Sequence, residues 1–283
     1  LVLATGFSPY DPAGGRPLGN EDHPTAVTTA DLNRALKADD VDQLGFAAGA
    51  PTRVAFLQCV GSRDPEAGRG YCSQICCGVA LNAARRLLHA RPDWEATLFY
   101  IDLQIHGKDA RTRFADLPPN LRLVQGVPAE LRPPSDPDTA AMSLAYQDAD
   151  GQMVTEDFQG AVQAVGMVPA PLTAPLADGL DLAPSLGGFL QVPADAPGLH
   201  AVGTCRGPAS IEACLLQARH TAARVLAEDG NHDAWSLVPP ARALGTPTDE
   251  APPTHTRTVE RSVAVIGEGA EADTLLTALR GAG

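Results

Sequence analysis

The stretch Val54–Leu88, VAFLQCVGSRDPEAGRGYCSQICCGVALNAARRLL, holds Cys59, Cys72, Cys76 and Cys77, four of the chain's six cysteines. With Arg53 in front, RVAFLQCV is a continuous apolar run of strand length and reads as a buried strand. GSRDPEAGRGY reads as a loop, and the Ala-, Leu- and Arg-rich run from Ser73 to Ala90 as a helix. A buried strand, a loop and a helix in that order are the repeating unit of an α/β fold. Cys59 falls at or just past the carboxyl end of the strand, where open α/β sheets carry their ligand sites. Cys72, Cys76 and Cys77 fall at the helix entrance. Cys72 and Cys76 are four apart and share a face if the helix has begun by then, with Cys77 about 100° round from Cys76.

Working outward, EATLFYIDLQIHG and LRLVQGVPAEL continue the strand pattern, and Asp150-Gly151 between two alternating runs predicts a hairpin. TTADLNRALKADD predicts a helix starting near Thr29, with Asp31 in the first turn where a negative charge suits the helix dipole. GLHAVGTCRGPASIEACLLQARHTAARVLAE predicts a strand, a tight turn and a long helix. The Pro-, Asp- and Thr-rich segment from Asp229 to Thr256 reads as a linker. A net charge of -13 over 283 residues argues against nucleic acid as a partner. No run approaches the ~18 apolar residues that read as a membrane span. The chain opens inside a strand with no initiating Met and closes on a short strand-turn-helix, so both ends read as cut from a longer polypeptide. In that last piece, Gly267, Gly269 and Ala272 could open a second dinucleotide-binding fingerprint, although an ordinary βα unit is the stronger reading.

The cysteines admit several chemistries. The twelve-residue loop between Cys59 and Cys72 is long enough to fold back and bring four sulfurs together, and the helix N-terminus with Arg63 and Arg69 favours thiolates. A disulfide fits poorly, because adjacent Cys76 and Cys77 cannot readily bridge and the acidic, signal-free chain reads as cytoplasmic. A zinc site more usually has two paired C-x2-C knuckles. Cys72 and Cys76 could act as a dithiol redox pair, the four could be inert core cysteines, or all four thiolates could hold an iron-sulfur cluster. Cys205 and Cys214 read as spectators.

RVAFLQCVGSRD, GYCSQICCGVALNAARRLL and LFYIDLQIHGK closely resemble the A subunit of heterodisulfide reductase, an iron-sulfur flavoprotein, and its homologues. LVLATGFSPYDP before them, and AVQAVGMVP and LHAVGTCRGPASIEACLLQARHTAARVLA after them, keep the family's order over about residues 1–228. The resemblance implies an α/β fold: a thioredoxin-reductase-like flavoprotein core of two dinucleotide-binding domains, incomplete at the N-terminus. It implies part of an FAD domain and linker over 1–50, a cluster-bearing domain built like an NAD domain over 51–155, and the C-terminal part of the FAD domain over 156–230. A linker over 231–258 and the start of a further βα unit over 259–283 complete the division.

In that family the pattern C-x12-C-x3-C-C binds a [4Fe-4S] cluster, which makes Cys59, Cys72, Cys76 and Cys77 the implied ligands. The cluster would stand where a pyridine-nucleotide domain carries its Gly-rich loop. FAD is implied at Thr5 and Gly6 after the first strand, and at Gly203 and Thr204 in the late strand-to-helix turn. The helix from about Ser210 would aim its N-terminus at the flavin. The implied function is electron relay between FAD and the cluster, as part of an oxidoreductase in a cytoplasmic complex with other redox subunits, with a homodimer possible and no membrane span. The rivals are a flavin-dependent oxidoreductase using the Cys72/Cys76 dithiol, and a zinc-stabilised docking module. The chain departs from the family in lacking the first FAD fingerprint and the ferredoxin-type cysteine runs. It also carries Asn82 where many members have a Lys, so electron bifurcation is not assumed.

Overall fold

A computed structural model of the chain describes residues 1–13, 25–46, 51–105, 116–128, 131–135, 140–148, 150–185, 187–194, 196–228 and 265–266. The elements in chain order are β1 (Val2–Leu3), β2 (Phe7–Pro9), β3 (Ala26–Thr28), α1 (Thr29–Ala38), β4 (Arg53–Val60), α2 (Cys76–Ala90), β5 (Glu95–Tyr100) and β6 (Leu121–Gln125). They continue with β7 (Leu131–Arg132), β8 (Met142–Gln147), β9 (Met153–Phe158), β10 (Gly160–Val165), β11 (Met167–Pro169), α3 (Thr173–Gly179), β12 (His200–Ala201), α4 (Ile211–Glu228) and β13 (Val265–Ile266). The chain divides into two compact units, Leu1–Ser8 with Pro169–Gly283, and Pro9–Val168.

In the Pro9–Val168 unit, β3, β10, β4, β5 and β6 form one sheet in that order, parallel throughout. β4 is its middle strand, and seven of its eight residues are buried, as expected of a parallel strand covered on both faces. α1 and α2 pack on one face: Val54, Phe56, Leu98 and Val162 of the sheet meet Leu32, Ala80, Ala84 and Leu87. The antiparallel ribbon β7-β8-β9 covers the other face, where Ala55, Leu57, Phe99 and Ala161 meet Leu131, Met142, Leu144 and Phe158. The β8-β9 hairpin turns at Asp150-Gly151 as expected, with the Asp148 carboxylate accepting from the amides of Asp150 and Gln152.

The sheet reaches beyond 51–155, because β3 and β10 pair in register with it. From β4 the chain steps outward through α2 to β5 and β6, while β10 lies on the opposite side of β4. The strand order therefore changes direction at β4, and the crevice beyond the carboxyl ends of β4 and β10 is the place where this architecture binds ligands.

α1 begins as the sequence implies. Thr28 caps it in a reciprocal box: Thr28 Oγ1 accepts from the Asp31 amide, and the Asp31 carboxylate accepts from the Thr28 amide. α2 begins later than expected, at Cys76 and not at Ser73. Gln74 adopts φ 62°, and the Ser73 hydroxyl accepts the Met167 amide at 2.9 Å. The segment before Cys76 is thus held by a distant strand and is not wound into the helix.

In the other unit, β12, β1 and β13 form a three-stranded parallel sheet. Leu3, Leu176, Leu190, Ala201 and Cys205 make its core. α4 runs from Ile211, close to the expected Ser210; it buries Ala223 and leaves Ile211, Leu215 and Leu216 exposed. Gly267, Gly269 and Ala272 lie outside the described residues. No described helix is long and apolar enough to cross a membrane.

Candidate functional site: a four-cysteine centre at the end of β4

β4 does not run straight into its loop. Leu57 pairs with Gln163 and Val60 with Val165, so two residues of β4, Gln58 and Cys59, stand opposite the single residue Ala164. This is a β-bulge, and the extra residue bends the strand and re-aims its side chains. Cys59 takes φ 61°, and Gly61 and Arg63 follow at 78° and 59°. The chain then folds back: Arg63 donates its amide to Tyr71 O, Asp64 and Arg69 exchange backbone hydrogen bonds, and Tyr71 Oη donates to Met167 O. A fold-back of this kind brings Cys72 and the start of α2 towards Cys59.

Cys59, Cys76 and Cys77 are buried, and Cys72 is half-buried. Three of the sulfurs are neighbours, with Cys76 between Cys59 and Cys77. The hydrogen-bonding contact with Cys76, helped by the Arg63 charge, holds Cys59 below the ordinary thiol range against the opposing effect of burial. The contact with Cys59 pushes Cys76 up to about 11. The contact with Cys76, with burial, pushes Cys77 upward. The Gln74 amide donates to Cys72 Sγ at 3.3 Å, and Cys77 Sγ lies 3.8 Å from Asp102 O.

Two further features favour negative sulfur. The Arg63 charge favours the thiolate at Cys59, although its partner Asp102 opposes it at Cys77, and the N-terminus of α2 has no side-chain cap, which leaves first-turn N–H groups and the positive end of the helix dipole at Cys76 and Cys77. All six cysteines are free thiols. The expected sharing of one helical face by Cys72 and Cys76 does not occur: Cys72 precedes the helix. Among the described residues, no group of three or more His, Cys, Asp or Glu side chains is gathered around a single metal-ion position. Four thiols at one strand end and one helix entrance have the donor chemistry of a larger thiolate-ligated centre. The surroundings carry a matching feature: Gln58 is 2% exposed and Ser62 3% exposed, and the Gln58 amide atoms and the Ser62 hydroxyl have no hydrogen-bond partner. Neither residue belongs to a motif, although a lone Gln inside an eight-residue buried strand, next to a Cys, is a signal that the sequence carries.

The residues expected at the flavin lie in the other unit. β1 and β12 pair in parallel, Val2 with His200 and Leu3 with Ala201, which brings Thr5-Gly6 and Gly203-Thr204 to the carboxyl ends of adjacent strands. Gly6 and Gly203 have φ 74° and 79°, and a Cβ on Gly6 would meet nothing within 4 Å. Thr5 is 2% exposed and its hydroxyl has no partner. The pair of Gly turns and the orphaned hydroxyl fit a ligand with polar groups. Cys205 is buried and donates to Val202 O and Leu3 O, as befits a structural thiol. Asn82 is exposed on α2.

Fold and site together define an open parallel α/β protein with a thiol-rich centre at the topological switch point of its larger sheet. No family model matches the chain. In sequence it is similar to heterodisulfide reductase A subunits, the family its motifs resemble. It is 30% identical over 238 residues to the A subunit of the H(2):CoB-CoM heterodisulfide,ferredoxin reductase of Methanothermobacter thermautotrophicus, an overlap of 79% of this chain and 36% of that protein. It is 28% identical over 244 residues to the second iron-sulfur A subunit of the CoB-CoM heterodisulfide reductase of Methanopyrus kandleri, with the same two coverages. The chain thus spans about a third of the length of these relatives. Among solved structures it is similar to Lactococcus lactis thioredoxin reductase, at 15% identity and a TM-score of 0.47, covering 83% of this chain and 65% of that one. It is also similar to the sulfide:quinone oxidoreductase of Aquifex aeolicus, at 14% identity and a TM-score of 0.47, covering 82% and 55%.

Proposed function

We propose that this chain is the electron-relay part of a cytoplasmic oxidoreductase like heterodisulfide reductase, holding a [4Fe-4S] cluster on Cys59, Cys72, Cys76 and Cys77 and FAD at Thr5, Gly6, Gly203 and Thr204. The observation that carries the reading is the placing of Cys59 at the bulged, buried end of β4 and of Cys76 and Cys77 at the uncapped start of α2, which packs on the same face of the sheet. When bound, the cluster would take up and release single electrons and the flavin would exchange one or two.

The chain's own residues have separate tasks. The bulge turns Cys59 towards α2, Ser73 ties the loop to Met167, and Arg63, held by Asp102, supplies a positive charge beside an anionic thiolate set. Four thiolates leave the irons saturated, so no acid, base or nucleophile is required of this region. Support for the assignment comes from the relatives' names, which describe heterodisulfide reductase subunits, one of them carrying the words iron-sulfur.

Anaerobic purification tests the proposal. The protein should be brown, contain about four irons per chain and give an EPR signal on reduction, and Cys76→Ser should remove the iron with the fold retained. A colourless protein containing zinc, or one with two thiols that simply close to a disulfide, would overturn it.

A further inference from the structure

We infer that Gln58 is a built-in hydrogen-bond donor to the sulfur of the centre held by the four cysteines, and that it sets how readily that centre accepts an electron. The inference rests on the proposed thiolate-ligated centre and adds to it a residue that is not a ligand.

Gln58 stands immediately before Cys59 in the middle strand of the sheet, an otherwise apolar environment: Val54, Ala55, Phe56 and Leu57 are each fully buried. Its own exposure is 2%, and neither Nε2 nor Oε1 has a hydrogen-bond partner. A buried amide with both ends unpaired is destabilising, and a chain that needed only to fill space there would use Leu or Met. A buried polar group without a protein partner calls for an explanation, and a bound group that is not protein supplies one.

The bulge says where that partner would be. Because Gln58 and Cys59 together oppose Ala164, both fall on the face of the sheet to which Ala164 belongs. That face packs against Cys76 and Ala80 of α2, so the orphaned amide lies on the same side as the thiol cluster and at the same end of the strand. Cys59 neighbours Cys76, the first residue of α2, so the bulge directs this side of β4 at the α2 N-terminus. An amide N–H is suited to sulfur that carries negative charge. Such a bond strengthens as the charge grows, so it stabilises the reduced state more than the oxidised one and raises the midpoint potential.

The variants are Gln58→Leu and Gln58→Met, both apolar and the second close to Gln in length, made in the full chain and purified anaerobically. Iron content, the midpoint potential from a reductive titration followed by EPR, and the melting temperature of iron-loaded and iron-stripped protein are compared with those of the unaltered chain. The expected result is iron loading retained, a midpoint potential shifted to more negative values in both variants, and iron-stripped variants melting a few degrees higher than the iron-stripped unaltered chain, because the unpaired amide is gone. Loaded variants with an unchanged potential would overturn the role of Gln58 and leave the cluster in place. An unaltered chain that binds no iron would overturn the cluster and the role of Gln58 together, and the iron assay on that chain alone tells the two failures apart.

Discussion

Gly61→Ala should be among the most damaging single changes available near the cysteine centre. Gly61 turns the chain out of β4 at φ 78°, and a Cβ built on it would lie 2.0 Å from Tyr10 Cγ and 2.6 Å from Tyr10 Cβ. The root of the Tyr10 side chain cannot swing away as the tip of a flexible one could, and its ring also carries the Arg69 guanidinium 4.8 Å above its centroid. The left-handed backbone costs an Ala about 1–2 kcal/mol, and forcing a methyl into filled space adds about 1–3 kcal/mol. The expected loss is therefore about 2–5 kcal/mol. Gly68 supplies the control: it lies in the same loop at φ 71° but its Cβ would meet nothing within 4 Å, so Gly68→Ala should lose only the backbone part, about 1–2 kcal/mol. Urea denaturation of both variants, with Tyr10→Ala added to Gly61→Ala to remove the clash, separates the two contributions by a double-mutant cycle. Equal losses in Gly61→Ala and Gly68→Ala, or simple additivity with Tyr10→Ala, would refute the steric argument.

Glu156→Gln should cost about 1–3 kcal/mol, because the carboxylate bonds Arg53 and Arg122, each at 2.5 Å, and Tyr146 at 2.6 Å. Burial pushes the Glu156 carboxyl up, yet Arg122, Tyr146 and Arg53 together hold it below the ordinary 4.5. Its contribution is thus fully present above that value and is lost as pH falls through the lower folded-state value. Denaturation curves from pH 7 down to the acid limit should show the unaltered chain converging on Glu156→Gln, and a constant gap would contradict the assignment. Thr28→Ala removes the capping box of α1 and should cost about 1 kcal/mol, read by thermal melting. Ser73→Ala strands the buried Met167 amide and should cost about 1–3 kcal/mol, with faster hydrogen exchange at Met167 as the local readout.

The parts of this fold that are legible in the sequence are those whose cause is local. β4 declares itself as an apolar run, the β8-β9 hairpin by Asp150-Gly151, and α1 by Thr28 and Asp31, each within a few residues of the structure it specifies. The start of α2 is not legible because its cause is not local: Ser73 is committed to Met167, 94 residues away, and the sequence around Ser73 carries no sign of it. The sheet's extension to β3 and β10 is equally hidden, since a three-residue strand has too little periodicity to register. The cysteines are legible as a set, but their arrangement is not. The bulge that puts Gln58 and Cys59 on one face exists only through pairing with β10, more than a hundred residues on.

That arrangement separates the cluster from its dithiol rival in a way the spacing alone could not. Cys76 lies between Cys59 and Cys77, while Cys72 stands before the helix and accepts from the Gln74 amide. A dithiol operating on this geometry would use Cys59 and Cys76, and Cys72 would be dispensable to it. A four-thiolate centre needs all four. Cys72→Ser is therefore the discriminating change: it should strip iron as completely as Cys76→Ser, measured as iron per chain after anaerobic purification, while leaving denaturation by urea almost unchanged, because Cys72 is half-buried and outside the core of α2. Retention of full iron in Cys72→Ser would remove it from the ligand set, and a Cys59–Cys76 disulfide forming at the same rate in that variant would favour thiol exchange over electron relay.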